Sequence, residues 1–225
     1  MRYKTAAFVP VKLNNQRLPG KNTKAFEGGK PLITYILNTL TKVKGLDKIC
    51  VYCSDESVIP FLPAGVEFLK RSQSLDLSST PILDVIRSFV KDVDANVYLM
   101  THATAPFLAA ETLQTGLDAV VDGEYDSALT VKKLNEFLWI DGQPMYDKTR
   151  IPRTQDIEDI YAETTGMYVF KKELITKQGR RTGDNPLLIP VDFLEACDIN
   201  EPVDFDLAQV LFNKYVKNGD AACVK

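Results

Sequence analysis

Histidine occurs once in this chain, at position 102, and tryptophan once, at position 139. A lone imidazole leaves Ser-His-Asp triads and histidine-based zinc sites hard to build. Cysteine is scarce too. Of four cysteines, Cys50 and Cys53 make a Cys-x-x-Cys, but it lies in Lys48-Ile-Cys-Val-Tyr-Cys-Ser-Asp55, whose β-branched and aromatic residues read as a strand. With no second cysteine pair and no nearby histidine, strand packing is the reading, not metal or redox work. No apolar run approaches the length needed to span a bilayer, and Met1-Arg-Tyr-Lys-Thr5 lacks the apolar stretch of a signal peptide. These absences predict a cytoplasmic protein with no membrane partner. An excess of basic charge is missing as well. The formal net charge is −3, with 45% hydrophobic and 25% charged residues, an ordinary soluble balance that gives no reason to expect a nucleic-acid partner. Repeats, low-complexity segments and flexible linkers are absent. A length of 225 residues suits one domain, 1–225, with a small appendage.

The familiar phosphate loops are also missing, since neither Gly-x4-Gly-Lys-Ser/Thr nor Gly-x-Gly-x-x-Gly occurs. In their place stands Pro10-Val-Lys-Leu-Asn-Asn-Gln-Arg-Leu-Pro-Gly-Lys-Asn22, after the apolar run Ala6-Ala-Phe-Val9, which reads as a buried first strand. At the carboxyl end of a parallel strand, such a loop can aim backbone N–H groups and the charges of Lys12, Arg17 and Lys21 at one point. A polyphosphate would sit there. The bland alternative is a solvated basic turn.

Strand-like and helix-like runs alternate: Ala6–Pro10 as strand, Pro31–Lys42 as helix, Lys48–Ser54 as strand, Thr80–Lys91 as helix and Asn96–Met100 as strand. This order predicts an α/β fold with a mostly parallel sheet flanked by helices. Ligands bind such sheets at the carboxyl ends of the strands, where the loops Lys12–Asn22, Ser54-Asp-Glu56 and Thr101–Pro106 converge. After a strand at Asp126–Val131, the segment Leu134–Lys148 carries Phe137, Trp139, Met145 and Tyr146 around a turn at Asp141-Gly. It reads either as an excursion that protrudes toward an interface or as a cover for the core. Gly166–Phe170 reads as a strand and Phe205–Asn218 as a closing helix.

The opening loop, followed by Gly29-Lys-Pro-Leu-Ile33, resembles the start of the acylneuraminate cytidylyltransferases, which make CMP-sialic acid and related CMP-activated acidic sugars. Further similarities follow in order: Cys53-Ser-Asp-Glu56, Lys70-Arg71, Thr104-Ala-Pro106, Arg153-Thr-Gln-Asp156, Thr165-Gly-Met-Tyr168 and Asp198-Ile-Asn-Glu-Pro-Val-Asp-Phe205. The resemblance spans nearly the whole chain. It implies a Rossmann-like nucleotidyltransferase fold, CTP and an acidic small-molecule acceptor as substrates, and Mg²⁺ as cofactor. It also implies a homodimer in which a protruding region, about 133–170, helps close the partner's sugar site.

Carried over residue by residue, the resemblance places the nucleotide on Pro10, Lys12, Asn14, Asn15, Arg17, Lys21, Asn22, Ser54, Asp55 and Arg71. The acceptor falls on His102, Thr104, Arg153, Gln155 and Tyr168. Asp198 and Asn200 become the metal positions, and Lys21, Lys12, Asp198 and His102 the catalytic group. The residue types suit the chemistry independently. Nucleotidyl transfer needs cations around the phosphates and a carboxylate-held metal more than covalent participation, and Mg²⁺ prefers oxygen ligands. Capping of the last helix is the competing role for Asp198 and Asp204, and for Asp204 the leading one. Arg71 reads as a nucleotide contact, a loop anchor or a solvated surface residue. His102 reads as structural, as an acceptor contact or as a general base.

The chain departs from the family pattern at six places. Lys12 and Leu108 stand where arginine is common, Asn15 where serine is, Gln16 where lysine is, His102 where glutamine is, and Asn200 where a second aspartate is. Asn200 removes one negative charge from the metal site, and Lys12 keeps charge but loses the guanidinium fork. These departures leave open a phosphonate, phosphorylated polyol or other acid as acceptor, a catalytically silent nucleotide-binding or assembly subunit, and UTP or ATP in place of CTP.

Overall fold

The computed structural model of the chain describes residues 3–157 and 159–217. Among the described residues nine strands follow one another: β1 (Tyr3–Val11), β2 (Lys48–Cys53), β3 (Glu67–Lys70), β4 (Ala95–Thr101), β5 (Ser127–Leu134), β6 (Trp139–Ile140), β7 (Gln143–Pro144), β8 (Ile160–Lys171) and β9 (Pro186–Pro190). Four α-helices accompany them: α1 (Leu32–Leu40), α2 (Ile82–Asp92), α3 (Ala110–Val121) and α4 (Pro202–Leu211). Seven strands form one sheet in the order β3-β2-β1-β4-β8-β5-β9, while β6 and β7 make a separate hairpin. β8 runs antiparallel to both neighbours, β4 and β5, and every other pairing in the sheet is parallel. The sheet is therefore mostly parallel, as the alternation of runs predicts.

Both faces of the sheet are covered, so β1 is apolar at consecutive positions. Ala6 and Phe8 pack with Val85, Ile86 and Phe89 of α2 on one face. Ala7, Val9 and Val11 pack on the other face with Ile33, Ile36 and Leu37 of α1 and Leu113 and Leu117 of α3. Cys50 belongs to the first layer and Cys53 to the second, so the Cys-x-x-Cys straddles the sheet. Burial pushes the Cys50 thiol up to about 11 and raises that of Cys53. Both cysteines are core packing.

Three elements have no counterpart in the sequence reading. The helix α3 carries Gly116 in its interior, which weakens a helical pattern, yet a Cβ there would stand 2.5 Å from Cε of Met167, so glycine lets the helix approach β8. β3 is four residues long and at the sheet edge, and β9 begins and ends on proline, which suits only an edge strand. The last helix starts three residues earlier than expected, because Glu201 and Asp204 form a capping box with Pro202 in the first turn. Its expected end at Asn218 lies outside the described residues; the helix gives way to a π-type turn over Phe212–Val216.

The aromatic excursion stands clear of the core. Trp139 and Ile140 are each 57% exposed, and Phe137 and Met145 are exposed beside them. Asp141 and Gly142, at φ 49° and 76°, supply the left-handed turn that closes the hairpin. No helix among the described residues is long and apolar enough to cross a membrane.

A third apolar cluster joins the two ends of the chain. Leu18 and Phe26, flanking the basic loop's end, pack with Leu32, Phe107, Leu194, Ile199, Phe205, Ala208 and Phe212. Phe26 lies at its centre, with the rings of Tyr35, Phe107, Phe205 and Phe212 all 5.0 to 5.8 Å away. Phe26→Ala should therefore cost about 3–5 kcal/mol, the usual range for a buried ring replaced by a cavity. Denaturant unfolding checks this, and a loss below about 1 kcal/mol would show that the cluster closes without that ring.

Candidate active site

The loop after β1 turns through Gly20, at φ 67°, into a single 3₁₀ turn at Lys21–Thr23. That turn buries Lys21 and Asn22. Asn22 donates to the Lys12 carbonyl at 2.9 Å and reaches the Asn15 amide oxygen at 3.5 Å, so one side chain ties the loop to itself. Lys21 donates one of its N–H groups to the Ile199 carbonyl at 3.0 Å. Burial pulls the Lys21 ammonium below the usual lysine range, nearby Asp198 opposes this, and Arg17 and Lys12 push the same way as burial. A desolvated ammonium with donors to spare attracts an anion more strongly than a solvated one.

A cleft of about 250 Å³ opens at the carboxyl ends of β1 and β4. Pro10, Lys12, Asn15, Lys21, Asn22, His102, Thr104 and Asn200 supply its polar side, and Leu75, Leu77, Ile82 and Val85 an apolar side. Arg71 lines it as well, 6% exposed, donating to Asp76 at 2.7 Å while its Nε has no hydrogen-bond partner. Asp76 in turn accepts a hydrogen bond from Ser54. The backbone N–H of Arg71 donates to the Cys53 carbonyl at 3.0 Å, which fixes the chain beyond β3 to the end of β2.

The second carboxylate group lies just before α4. Oδ2 of Asp198 accepts from the Asn200 amide at 2.7 Å and from the Thr165 hydroxyl at 3.1 Å. Oδ1 of Asp198 is buried without a partner. Asp204 does not share this role: its Oδ2 accepts from the backbone N–H groups of Asn200 and Glu201 at 2.9 and 2.8 Å, which makes it a cap. The side-chain oxygen of Asn200 accepts from Arg17 at 2.9 Å. Among the described residues no group of three or more His, Cys, Asp or Glu is arranged to hold a metal. A cation here would rest on the bare oxygen of Asp198, with the Asn200 oxygen available once Arg17 turns away.

A family model described as cytidylyltransferase matches residues 6–178. The chain belongs to the cytidylyltransferase family. It is 25% identical over 215 residues to N-acylneuraminate cytidylyltransferase A of Danio rerio, covering 91% of this chain and 50% of that protein. It is 26% identical over 227 residues to CMP-N,N'-diacetyllegionaminic acid synthase of Legionella pneumophila subsp. pneumophila strain Philadelphia 1, covering 91% and 94%. The chain thus spans half of the first relative's length and nearly all of the second's. Among solved structures, a CMP:2-keto-3-deoxy-manno-octonic acid synthetase complexed with CTP superposes with a TM-score of 0.70 at 14% identity, over 95% of this chain and all of that one. A 4-diphosphocytidyl-2C-methyl-D-erythritol synthase from Anaerococcus prevotii gives 0.68, also at 14% identity, over 95% and 97%. Both share the nucleotidyltransferase fold.

In this member of the family the structure gathers Pro10, Lys12, Asn15, Lys21, Asn22, Arg71, His102, Thr104 and Asn200 around one cleft. Asp198 and Arg17 adjoin it through their bonds to Asn200. Asn14, Ser54 and Asp55 face a neighbouring hollow with Glu56 and Lys70; Ser54 supports Asp76, and Asp55 caps the turn at Glu56–Phe61. Three residues expected at the acceptor fall elsewhere. Arg153 is exposed and paired with Asp156 at 2.6 and 3.1 Å, and Gln155 is exposed on the same turn, so within one chain neither reaches the cleft. Tyr168 is buried, with its hydroxyl committed to Glu163 at 2.6 Å and the Arg181 guanidinium stacked 3.6 Å from its ring centre. Asp76, Glu163 and Arg181 have no place in the sequence reading, and Thr165 enters it only within the Thr165–Tyr168 segment, because contacts made in the fold, to Arg71, Tyr168 and Asp198, give these residues their roles.

His102 follows the last residue of β4 and lines the cleft. Burial lowers its imidazole to about 4; Asp198 opposes the shift, and Arg181 and Lys21 add to it. The folded chain therefore holds the ring neutral where an unfolded chain would bind a proton. Unfolding takes up that proton between the usual 6.5 and about 4. The contribution of His102 to stability is present above 6.5 and declines as pH falls through this window. Because histidine occurs once, its ring resonance is unambiguous by NMR. The titration midpoint of the folded, ligand-free protein should lie near 4; a midpoint at 6 or above would mean a solvated ring.

Proposed function

We propose that this cytidylyltransferase transfers CMP from CTP to an acidic sugar of the nonulosonic, sialic-acid-like class and releases pyrophosphate. The observation that carries the reading is the two-sided cleft, in which an apolar wall of Leu75, Leu77, Ile82 and Val85 faces the cationic loop of Lys12 and Lys21. Such a cleft suits a ligand with a flat, weakly polar end and a highly charged one. The base and ribose rest on the apolar wall beside Arg71, and the phosphates lie against Lys12, Lys21 and the loop's N–H groups. Asn22 keeps that loop in shape. Relatives of the chain are named for sugar acids, which supports an acidic acceptor.

In the proposed reaction a hydroxyl oxygen of the acceptor attacks the α-phosphorus. A new P–O bond forms, the bond to the pyrophosphate oxygen breaks, and the hydroxyl proton is released. The cations on the leaving side stabilise the charge that builds up on pyrophosphate, a contribution that a dry, preorganised site makes large. A Mg²⁺ ion suits the bare Oδ1 of Asp198, since a buried carboxylate oxygen without a partner is a ready oxygen ligand. When bound, it would neutralise phosphate charge. The ring of His102, neutral above pH 5 or so, serves better as a hydrogen-bonding contact than as a base, because a group of such low basicity accepts a proton poorly.

The exposed Phe137, Trp139, Ile140 and Met145 support a homodimer, with Arg153 and Gln155 of one subunit offered to the other's acceptor. Sedimentation at micromolar concentration should give a dimer; a monomer would remove this part of the reading. The activity is checked by pyrophosphate release from CTP and Mg²⁺ with nonulosonic acids, Kdo-like acids, phosphonates and sugar phosphates as acceptors. One of the sugar acids should be turned over, and Lys21→Ala should lower kcat/KM by roughly a hundredfold or more. Turnover of a phosphonate alone would keep CTP and change the acceptor. CTP binding without turnover of any acceptor would mark a silent homologue.

A further inference from the structure

Thr165 holds a backbone conformation that its side chain disfavours. Its φ is 58°, in the left-handed region, where a β-branched residue is an outlier. The surroundings impose it. The pairing of β5 with β8 runs from Leu129↔Tyr168 directly to Val131↔Glu163, so β8 carries extra residues across a bulge at Thr164–Met167. The bulge is pinned on both sides. Thr164 donates to the Thr130 hydroxyl at 2.7 Å, the Met167 N–H donates to the same hydroxyl at 3.2 Å, and a Cβ on Gly166 would stand 3.0 Å from Leu108. Bulges near active sites re-aim a side chain, and strained residues persist where their neighbours over-determine them.

The side chain re-aimed here is the Thr165 hydroxyl, which donates to Oδ2 of Asp198. Asn200 donates to the same oxygen. Both donors therefore converge on one carboxylate oxygen and leave the other, Oδ1, buried and unpartnered. We infer that Thr165 is a positioning residue whose strained, bulge-held hydroxyl fixes the Asp198 carboxylate so that Oδ1 stays free for a divalent cation. The inference rests on the reading of Asp198 as the metal ligand. It adds β8, which only β4 separates from β1, to the parts that build that site.

The test measures Mn²⁺ binding by electron paramagnetic resonance in the presence of a non-hydrolysable CTP analogue, alongside thermal unfolding. Thr165→Val keeps the branched shape and loses the donor. It should weaken Mn²⁺ binding about tenfold, the usual effect of losing one hydrogen bond to a charged group. Thr165→Ser, which keeps the donor, should bind Mn²⁺ as the parent does. Thr165→Gly, which removes both strain and donor, should unfold at a higher temperature and still bind Mn²⁺ more weakly. Asp198→Asn separates the two claims. If it weakens Mn²⁺ binding while Thr165→Val does not, the positioning role is overturned and the metal reading stands. If Asp198→Asn leaves Mn²⁺ binding unchanged, the metal reading falls and this inference falls with it.

Discussion

One hydrogen bond ties the site together: the buried Lys21 ammonium donates to the carbonyl of Ile199, 178 residues further along the chain. A lysine on a surface loop would remain solvated and mobile. Here the loop is drawn down because Leu18 and Phe26 share an apolar cluster with Ile199, Phe205 and Phe212. Burial of that cluster, at about 25 cal/mol per Å² of apolar surface, is the driving force that brings the amino-terminal loop against the segment preceding α4. The hydrogen bond then fixes the register between them. Lys21, Asn200 and Asp198 meet as a result, although no sheet pairing joins them.

The electrostatic arrangement follows from the same contact. Lys21 loses hydration and is left beside Asp198 without a direct ion pair, while Arg17 donates to the neutral Asn200. Arg71 is buried more deeply and does have a carboxylate partner, Asp76, which is itself bonded to Ser54. The site thus contains one locked cation and several underused ones. Charge without a partner in a desolvated cleft is unfavourable in isolation and becomes favourable when a polyanion enters. That imbalance is the structural reason for expecting a nucleotide in the cleft.

Much of this was legible in sequence where the determinants are contiguous. The loop residues Lys12, Asn15, Lys21 and Asn22 lie on one stretch after an apolar run, and they meet in one cleft. The parallel strands β1, β2 and β4 were visible because strands buried on both faces read as uninterrupted apolar runs. The reversed direction of β8 was not visible, because it is set by pairing with β4 and β5 and no local pattern encodes it. Gly116 hid α3, and terminal prolines hid β9. Asp76 carries no motif, and Thr165 stands in a matched segment that assigns it no role; one matters through Arg71 and the other through Asp198. Arg153 and Gln155 were assigned by resemblance, and a single chain leaves them on an exposed turn.

The most direct test of the account is a crystal structure of the protein with CTP and Mn²⁺, read with the anomalous signal of the metal. The expected result is a triphosphate against Lys12 and Lys21, the base on the wall of Leu75, Leu77 and Val85, and a manganese peak beside Oδ1 of Asp198. A nucleotide bound outside this cleft, or a manganese peak with no contact to Asp198, would contradict it.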